Sequence, residues 1–483
     1  MNLLVVQRIL GILLILFSVT MLPPAGVSLF YQDDNLAPFL DAFFGLLATG
    51  LLIWWPVRHE KRELRLRDGF LVVAMFWVVL SLAGAVPLVL SDNPNIPLTF
   101  AVFEAVSGFT TTGATVLVGL DDMPKSLLYY RFQIQWLGGI GIVVLAVALL
   151  PMLGIGGMQL LKAETPGQVK DSKLTPRIKE TAKALWVIYV LLTIACATAY
   201  WIAGMTPFDA IGHSFTTIST AGFSSHDASL GYFDSPAIET VAIIFMFIGG
   251  INFTLHFVAW RKLSMRDYWR DSELRAYTGL LLISVTICAL VLVISGTFDS
   301  GTVAVRSALF HVLALMTGTG FTAHDFSVWP GALPVMLILI TFAGGCAGST
   351  TGGLKAFRWI LLWNQGNREI NRLIHPNGMF PVKIGGRPVP WRIIDAVWGF
   401  FAIYVVCFAL LMVLLMATGV DQVTAFSAIA SCMNNIGPGL GEVTVNFVSI
   451  STSGKWLCML AMLLGRLEIY PLLILITPVF WRR

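Results

Sequence analysis

Four short tracts hold the residues whose types and spacing could do chemistry: Thr110-Thr111-Thr112-Gly113-Ala114, Ser219-Thr220-Ala221-Gly222-Phe223, Thr317-Gly318-Thr319-Gly320-Phe321 and Asn434-Asn435-Ile436-Gly437-Pro438. Each is polar, bears a glycine and lies within an otherwise apolar stretch. Glycine admits backbone angles that a residue with a Cβ resists, so a tract running through it can stack carbonyl oxygens along one side. Four such strands around one axis would form rings of oxygens able to replace a cation's hydration shell. No carboxylate occurs in any tract, which argues against a charged ring selecting divalent ions. An irregular polar backbone in hydrocarbon is tolerated only where it is buried in protein or lines water, so these tracts are expected to line something aqueous.

The elements that must position the tracts emerge when Gly113, Gly222, Gly320 and Gly437 are set in one register. Twelve residues upstream stand Ala101, Ala210, Ala308 and Ala425. Eleven upstream are Val102, Ile211, Leu309 and Phe426; seven upstream, Val106, Phe215, Leu313 and Ala430; four upstream, Phe109, Ile218, Met316 and Met433. These offsets share one helix face. Each tract is therefore expected to follow a helix of about three turns within the stretches 98–119, 207–226, 302–324 and 421–443. A helix descending into the bilayer points the negative end of its dipole at the membrane centre, where a cation would be stabilised.

The chain has 483 residues, of which 57% are hydrophobic and 12% charged; a soluble domain has roughly 25% charged residues. Runs long enough to span a bilayer, about 20 apolar residues, occur near 3–30, 38–56, 70–90, 126–150, 183–204, 236–260, 276–297, 332–362, 394–418 and 456–480. Basic residues fill alternate connections: Arg58, Lys61, Arg62, Arg65 and Arg67; Lys162, Lys170, Lys173, Arg177 and Lys179; Arg261, Lys262, Arg266, Arg270 and Arg275; Arg368, Arg372, Lys383, Arg387 and Arg392; and Arg482 with Arg483. The other connections hold mostly acids, among them Asp33, Asp34, Asp92, Asp121, Asp122, Asp227, Asp234, Asp299 and Asp325. The positive-inside rule then places both termini in the cytoplasm. Arg8 before an apolar run imitates a signal peptide, but Pro23-Pro24 offers no small-residue cleavage site, so a retained first span is expected.

The expected fold is an all-α polytopic membrane protein of four parallel units, each a span, a short helix, a polar tract and a second span, around a pseudo-fourfold axis. The expected divisions are an N-terminal two-span segment (1–68) and units at 69–180, 181–275, 276–392 and 393–483. Parallel units can share an axis along the membrane normal, unlike the inverted repeats of many transporters. The cysteines, Cys196, Cys288, Cys346, Cys407, Cys432 and Cys458, sit in apolar surroundings without metal spacing and read as packing residues. No converging cluster suggests an enzyme, and no nucleotide-binding fingerprint, covalent cofactor or nucleic-acid partner is expected.

The third unit's second span carries Gly344-Gly345-Cys346-Ala347-Gly348-Ser349-Thr350-Thr351-Gly352-Gly353, five glycines in ten residues. Each interior glycine weakens a helix by about 1 kcal/mol relative to alanine, so an intramembrane loop is expected. Close helix packing through small residues is the alternative. Arg466 stands near the middle of the last expected span, where a charge usually faces a cavity or partner. Glu468, two residues on, points in a different direction. Lys355, just after the loop, reads as a marker of the cytoplasmic interface in preference to a residue that responds to loop movement. Glu104, His213 and His311 share the position nine residues before their glycines, which suggests hydrogen bonding behind the short helices in preference to proton coupling.

With the motifs Gln135-Trp136-Leu137-Gly138-Gly139-Ile140-Gly141 and Gly156-Gly157-Met158-Gln159, the glycine-rich loop, and Asn434-Asn435-Ile436-Gly437-Pro438-Gly439, the whole chain resembles the TrkH/Ktr/HKT superfamily of potassium-translocating subunits, most closely the TrkH family. The resemblance implies that Gly113, Gly222, Gly320 and Gly437 mark a potassium filter. The coordinating carbonyls would belong to Thr111, Thr112, Thr220, Ala221, Gly318, Thr319, Asn435 and Ile436. Relatives that pass sodium well often carry serine at the first glycine, so Gly113 favours potassium. It further implies that Gly344, Gly345, Gly348, Gly352 and Gly353 form a movable plug and that Arg466 is an electrostatic barrier below the filter. The implied setting is the bacterial inner membrane, with a homodimeric pore subunit controlled by a TrkA-like cytosolic nucleotide-binding ring. A proton- or sodium-coupled symporter, or a less selective monovalent pathway, is the alternative.

Overall fold

The computed structural model describes residues 2–60, 66–144 and 174–482. The motif Gly156-Gly157-Met158-Gln159 and the basic residues Lys61, Arg62, Arg65, Lys162, Lys170, Lys173 and Arg483 lie outside the described residues.

The chain opens with α1 (Leu3–Val19) and α2 (Leu22–Tyr31), then α3 (Leu36–Trp54). Helices α1 and α3 run against each other where small residues let the backbones approach. A Cβ at Gly11 would lie 2.8 Å from Trp54, and one at Gly50 2.9 Å from Ile15.

Four units follow. The first comprises α4 (Leu66–Leu90), the short helix α5 (Leu98–Phe109) and α6 (Lys125–Val144). The second has α7 (Leu174–Ile202), the short helix α8 (Pro207–Ile218), α9 (Pro236–Gly249) and α10 (Phe253–Lys262). The third has α11 (Ser272–Ile294), the short helix α12 (Gly301–Thr317), α13 (Leu333–Ile340) and α14 (Ala356–Ile374). The fourth has α15 (Trp391–Met416), the short helix α16 (Gln422–Asn434), α17 (Thr452–Arg466) and α18 (Tyr470–Ile476). A two-residue hairpin pairs Lys383–Ile384 with Arg387–Pro388 and is the only sheet among the described residues.

Three of the four short helices start where the sequence supplies a side-chain cap. Thr206 accepts from the Asp209 N–H with Pro207 in the first turn, Ser300 accepts from Thr302 N–H, and Asp421 accepts from Val423 and Thr424 N–H. The repeated alanines Ala101, Ala210, Ala308 and Ala425 are all buried, so the register found in the sequence is a register of packing.

Each short helix packs on the span before it: α5 on α4, α8 on α7, α12 on α11 and α16 on α15. The second span of each unit packs on the short helix of the next: α6 on α8, α9 on α12, α13 on α16, and α17 on α5. The fourth unit thereby returns to the first, and the four close a cycle.

Among the described residues, six helices are long and apolar enough to cross a membrane, and two bent pairs raise this to as many as eight. The expected span at 126–150 is seen as α6 as far as Val144, and the one at 332–362 is interrupted between Ile340 and Ala356, as the glycine-rich loop required. Two other spans expected to be continuous are not. α9 and α10 meet at 92° across Gly249–Phe253, and α17 and α18 meet at 115°. In the first, Gly249 and Gly250 weaken the helix and the Asn252 side chain accepts from Thr254 N–H, capping a new one. In the second, Pro471 lacks an N–H and sits in the first turn of α18. Arg466 is thus not mid-helix: it is the last residue of α17, at the break.

Candidate ion pathway

All four short helices end in the same way. The residue two before the tract glycine has a positive φ: Thr111 (52°), Thr220 (51°), Gly318 (78°) and Asn435 (53°). The glycines follow suit, Gly113 at 79°, Gly222 at 81°, Gly320 at 71° and Gly437 at 97°. The residues between, Thr112, Ala221, Thr319 and Ile436, are not in that region. Alternating handedness turns successive carbonyls to one side of a strand, as a file of cation ligands requires. Turns back onto the helix fix the tract: Thr112 N–H donates to the Ser107 carbonyl at 2.8 Å, Ala221 N–H to Thr216 at 2.9 Å and Ile436 N–H to Ser431 at 3.0 Å.

The tracts abut in a ring. A Cβ on Gly113 would lie 2.1 Å from the Ala221 carbonyl oxygen, one on Gly222 1.8 Å from that of Thr319, one on Gly320 1.8 Å from that of Ile436, and one on Gly437 3.0 Å from those of Thr112 and Gly113. Any side chain there meets a neighbour's backbone carbonyl, which cannot swing away. The Asn435 amide adds a bond across the seam, donating to Thr112 Oγ1 at 2.9 Å. Above the ring, on the side of the acidic connections, lies a cavity of about 340 Å³ lined by Gly113, Gly222, Gly320 and Gly437 together with Asp227 and Asp325.

The outer limb of each tract is pinned to its short helix by one side chain, nine residues before the glycine in the first three units and ten before it in the fourth. Glu104 Oε1 accepts from Val116 and Leu117 N–H, both at 3.1 Å, and from the Thr115 hydroxyl. Arg131 Nε lies 3.7 Å from its other oxygen, and the Arg131 guanidinium also donates to the Ser224 carbonyl and stacks 4.2 Å from the Phe223 ring. His213 Nε2 lies 3.0 Å from Ser224 Oγ, and His311 Nε2 lies 3.3 and 3.2 Å from the backbone nitrogens of Ala323 and His324. In the fourth unit Ser427 exchanges bonds with Leu440. Glu104, His213 and His311 are fully buried behind the tracts. The outer loops are joined at His226, whose Nδ1 is 2.5 Å from Asp121 Oδ1 and whose Nε2 is 3.6 Å from Asp209. Burial alone would lower the His226 pKa, but the two carboxylates raise it above its ordinary value, and His226 in turn holds Asp121 below the usual carboxylate range.

Beneath the ring, the loop of Gly344, Gly345, Gly348, Gly352 and Gly353 lies against the tracts themselves. Gly353 N–H donates to the Asn434 carbonyl at 3.1 Å, and a Cβ at Gly352 would lie 1.8 Å from that oxygen. The Thr350 hydroxyl donates to the Ile218 carbonyl at 3.1 Å and is bonded by Thr220 Oγ1 at 3.1 Å. The bend between α9 and α10 cradles the loop: Cys346 N–H donates to the Gly250 carbonyl and Phe253 N–H to that of Gly348. Glu273 accepts from the N–H groups of both Ala347 and Phe357, tethering the two ends of the loop. Lys355, expected at an interface, is instead buried and donates back to the Thr351 carbonyl and hydroxyl. Its side chain is consumed in closing the loop.

Arg466 Nη1 donates to the Thr350 carbonyl at 3.3 Å, while its Nε and Nη2 are buried without a hydrogen-bond partner. Glu468 does not pair with it, as side-chain direction implied; it meets Arg358 at 2.5 Å. The turn at the break is strained. Ile469 has φ 61° and ψ −54°, with Tyr470 N–H bonded to the Glu468 carbonyl two residues back at 2.6 Å, a conformation rare for a β-branched residue.

The structure brings the four tracts together in one ring and places the glycine-rich loop and Arg466 beneath it. Sequence reading missed the clamp of Gln135 on the second tract, the Glu273 tether, the Arg358–Glu468 pair and the α9–α10 bend. Only the bend had a local signal, Gly249-Gly250 followed by the cap Asn252.

The family described as TrkH, cation transport protein, matches residues 36–482. The Trk system potassium uptake protein TrkH of Vibrio parahaemolyticus is 54% identical over 477 residues, covering 98% of each chain. The protein of that name from Escherichia coli strain K12 is 52% identical with 99% of each covered, and the Trk system potassium uptake protein TrkG of the same strain is 40% identical. The crystal structure of the potassium transporter TrkH from Vibrio parahaemolyticus superposes with a TM-score of 0.93, at 51% identity and with all of both chains covered. On sequence, length and fold alike, this chain is a multi-pass membrane protein belonging to the TrkH family of cation transport proteins.

Proposed function

We propose that this chain carries potassium ions across a bacterial inner membrane through the ring of four tracts. The carbonyls of Thr111, Thr112, Thr220, Ala221, Gly318, Thr319, Asn435 and Ile436, beside Gly113, Gly222, Gly320 and Gly437, take the place of the ion's water. The observation that carries the reading is the closed cycle of left-handed glycines, each against its neighbour's carbonyl. Relatives over the full length of the chain are named for potassium uptake. The cavity bordered by Asp227 and Asp325 suits the entry of a cation.

The loop of Gly344, Gly345, Gly348, Gly352 and Gly353 is the gate, lying across the base of the ring. Arg466 is its electrostatic component, since a guanidinium with unspent donors beside a cation path opposes the ion until the loop moves. The chain is organised as the two-span segment 1–68 and pore units at 69–180, 181–275, 276–392 and 393–483. Both termini face the cytoplasm, and the basic face receives a TrkA-like nucleotide-binding ring under a homodimer of this chain.

The experiment is uptake of radioactive rubidium into liposomes containing this chain alone, with potassium and sodium as competitors. Uptake suppressed by potassium at concentrations where sodium has little effect supports the reading. Equal competition by both ions reduces it to a less selective monovalent pathway, and no uptake by folded protein overturns it. Reversal potentials separate a passive pore, which follows the potassium gradient, from a proton- or sodium-coupled symporter. The engagement of Glu104, His213 and His311 behind the tracts supports the passive form.

A further inference from the structure

We infer that Gln135 is a positioning residue that sets the geometry of the second filter tract, and through it the preference among monovalent cations. The inference rests on the filter reading above and adds a determinant outside the four tracts. Its basis is a hydroxyl brace that the first and third tracts carry and that the second, like the fourth with Asn434 and Ile436, lacks. In the first tract the hydroxyls of Thr110 and Thr112 bond each other at 2.7 Å, bracing the left-handed turn at Thr111. In the third, Thr317 and Thr319 do the same at 2.8 Å around Gly318. The corresponding residues of the second tract are Ser219 and Ala221. Alanine has no hydroxyl, and Ser219 Oγ donates to the Phe215 carbonyl at 2.8 Å.

Gln135, fully buried on α6 of the preceding unit, supplies the missing brace from outside. Its Nε2 donates to the Ala221 carbonyl at 2.9 Å, and its Oε1 accepts from Phe223 N–H at 3.0 Å. One amide thus grips the tract on both sides of Gly222. The reach exists because α6 comes unusually close. A Cβ at Gly138 would lie 2.1 Å from the Phe109 carbonyl oxygen, and one at Gly139 2.7 Å from Ser219 Cβ.

Among the described residues, Ala221 is the only one of the four residues preceding a filter glycine whose carbonyl accepts a side-chain donor. A carbonyl has two lone pairs. One is engaged by Gln135, so this oxygen is offered to the ion in a fixed direction and with reduced strength, unlike its three counterparts. Selectivity in such a ring depends on the number and field strength of its oxygens, so the amide tunes one quarter of the ring.

Permeability ratios in proteoliposomes test this. Gln135→Leu, which removes both bonds at similar volume, is expected to lower the potassium-to-sodium ratio by roughly 10-fold while potassium flux persists, the scale of one hydrogen bond. Gln135→Glu, matched in shape but opposing the carbonyl with an anion, should do the same and serves if the leucine variant does not fold. Adding Ala221→Thr to Gln135→Leu should restore most of the ratio, because the new hydroxyl can bond Ser219 as in the first and third tracts. A purely structural role for Gln135 would move thermal stability and leave the ratio alone. An unchanged ratio in the folded single variants, with Gly222→Ser altering it, overturns the role of Gln135 and leaves the filter intact. If Gly222→Ser is also without effect, the filter reading falls with it.

Discussion

The two sides of the ring are held by different means. Outside, one side chain per unit pins the returning limb: Glu104, His213, His311 and Ser427, each fully buried and hydrogen-bonded. Inside, the loop rests on the ring through glycine packing, backbone N–H groups and the Thr350 hydroxyl, beside an arginine with two buried donors unsatisfied. The outer limbs are each held by a buried side chain of the short helix, whereas the inner loop touches the tracts through glycines, a backbone N–H and Thr350 and is otherwise held from behind by Glu273 and Lys355. The first arrangement is suited to a fixed frame, the second to a part that can leave its place.

That contrast is open to direct attack. The largest expected effect is at Glu104→Leu, which removes the carboxylate that faces the buried Arg131 charge and the acceptor of the Val116 N–H. Breaking a buried pair costs about 3–5 kcal/mol, so thermal unfolding in detergent should fall steeply. A small change would deny that the outer limb is a rigid frame. Arg466→Ala should leave thermal stability nearly untouched yet raise flux by roughly 10-fold, the equivalent of about 1.4 kcal/mol off a barrier. Unchanged or lower flux in intact protein removes the arginine from the gate. Thr350→Val deletes the hydroxyl that holds the loop to Ile218 and Thr220. Losing about 1 kcal/mol of seating should raise flux a few-fold, and no rise would mean that the loop is not held there.

The smallest expected effect is pH-dependent. The His226 pKa is raised in the folded state by Asp121 and Asp209. Its contribution to stability is therefore fully present below its unfolded value of about 6.5 and is lost as pH rises through the folded value. The lowered Asp121 pKa acts in the opposite direction, contributing above its unfolded value and losing that contribution only in acid. His226→Gln should accordingly be less stable than the parent near pH 6, with the gap closing toward alkaline pH. A gap that widens with pH would show that the imidazolium is not what joins the outer loops.

Much of this frame was legible in the sequence, for a physical reason. The glycines needed a left-handed backbone and the alanines a tight contact, and both demands fix a residue type at a fixed spacing. The loop was legible because five glycines in ten residues defeat a helix. The break before Tyr470 was harder to see, since apolar residues flank it on both sides and Pro471 is equally at home in a bent membrane helix. Lys355 was misread because a lysine after an apolar run normally marks an interface, whereas here its chain folds back onto Thr351. Gln135 stood in a motif of the family resemblance, but its contact with the second tract could not be read. Its partners are 86 and 88 residues away, and nothing at its own position distinguishes a clamp from any other buried amide.

The closed cycle also bears on how such a chain comes into being. The seam between Asn435 and Thr112 joins residues 323 positions apart, so the ring cannot shut until the last unit has entered the bilayer. Until then the first tract has a neighbour on one side only, and its other flank waits through the synthesis of most of the protein. Long-range closure of this kind is slow, but it places the completion of the ring at the end of translation, when the loop of the third unit is already there to lie beneath it.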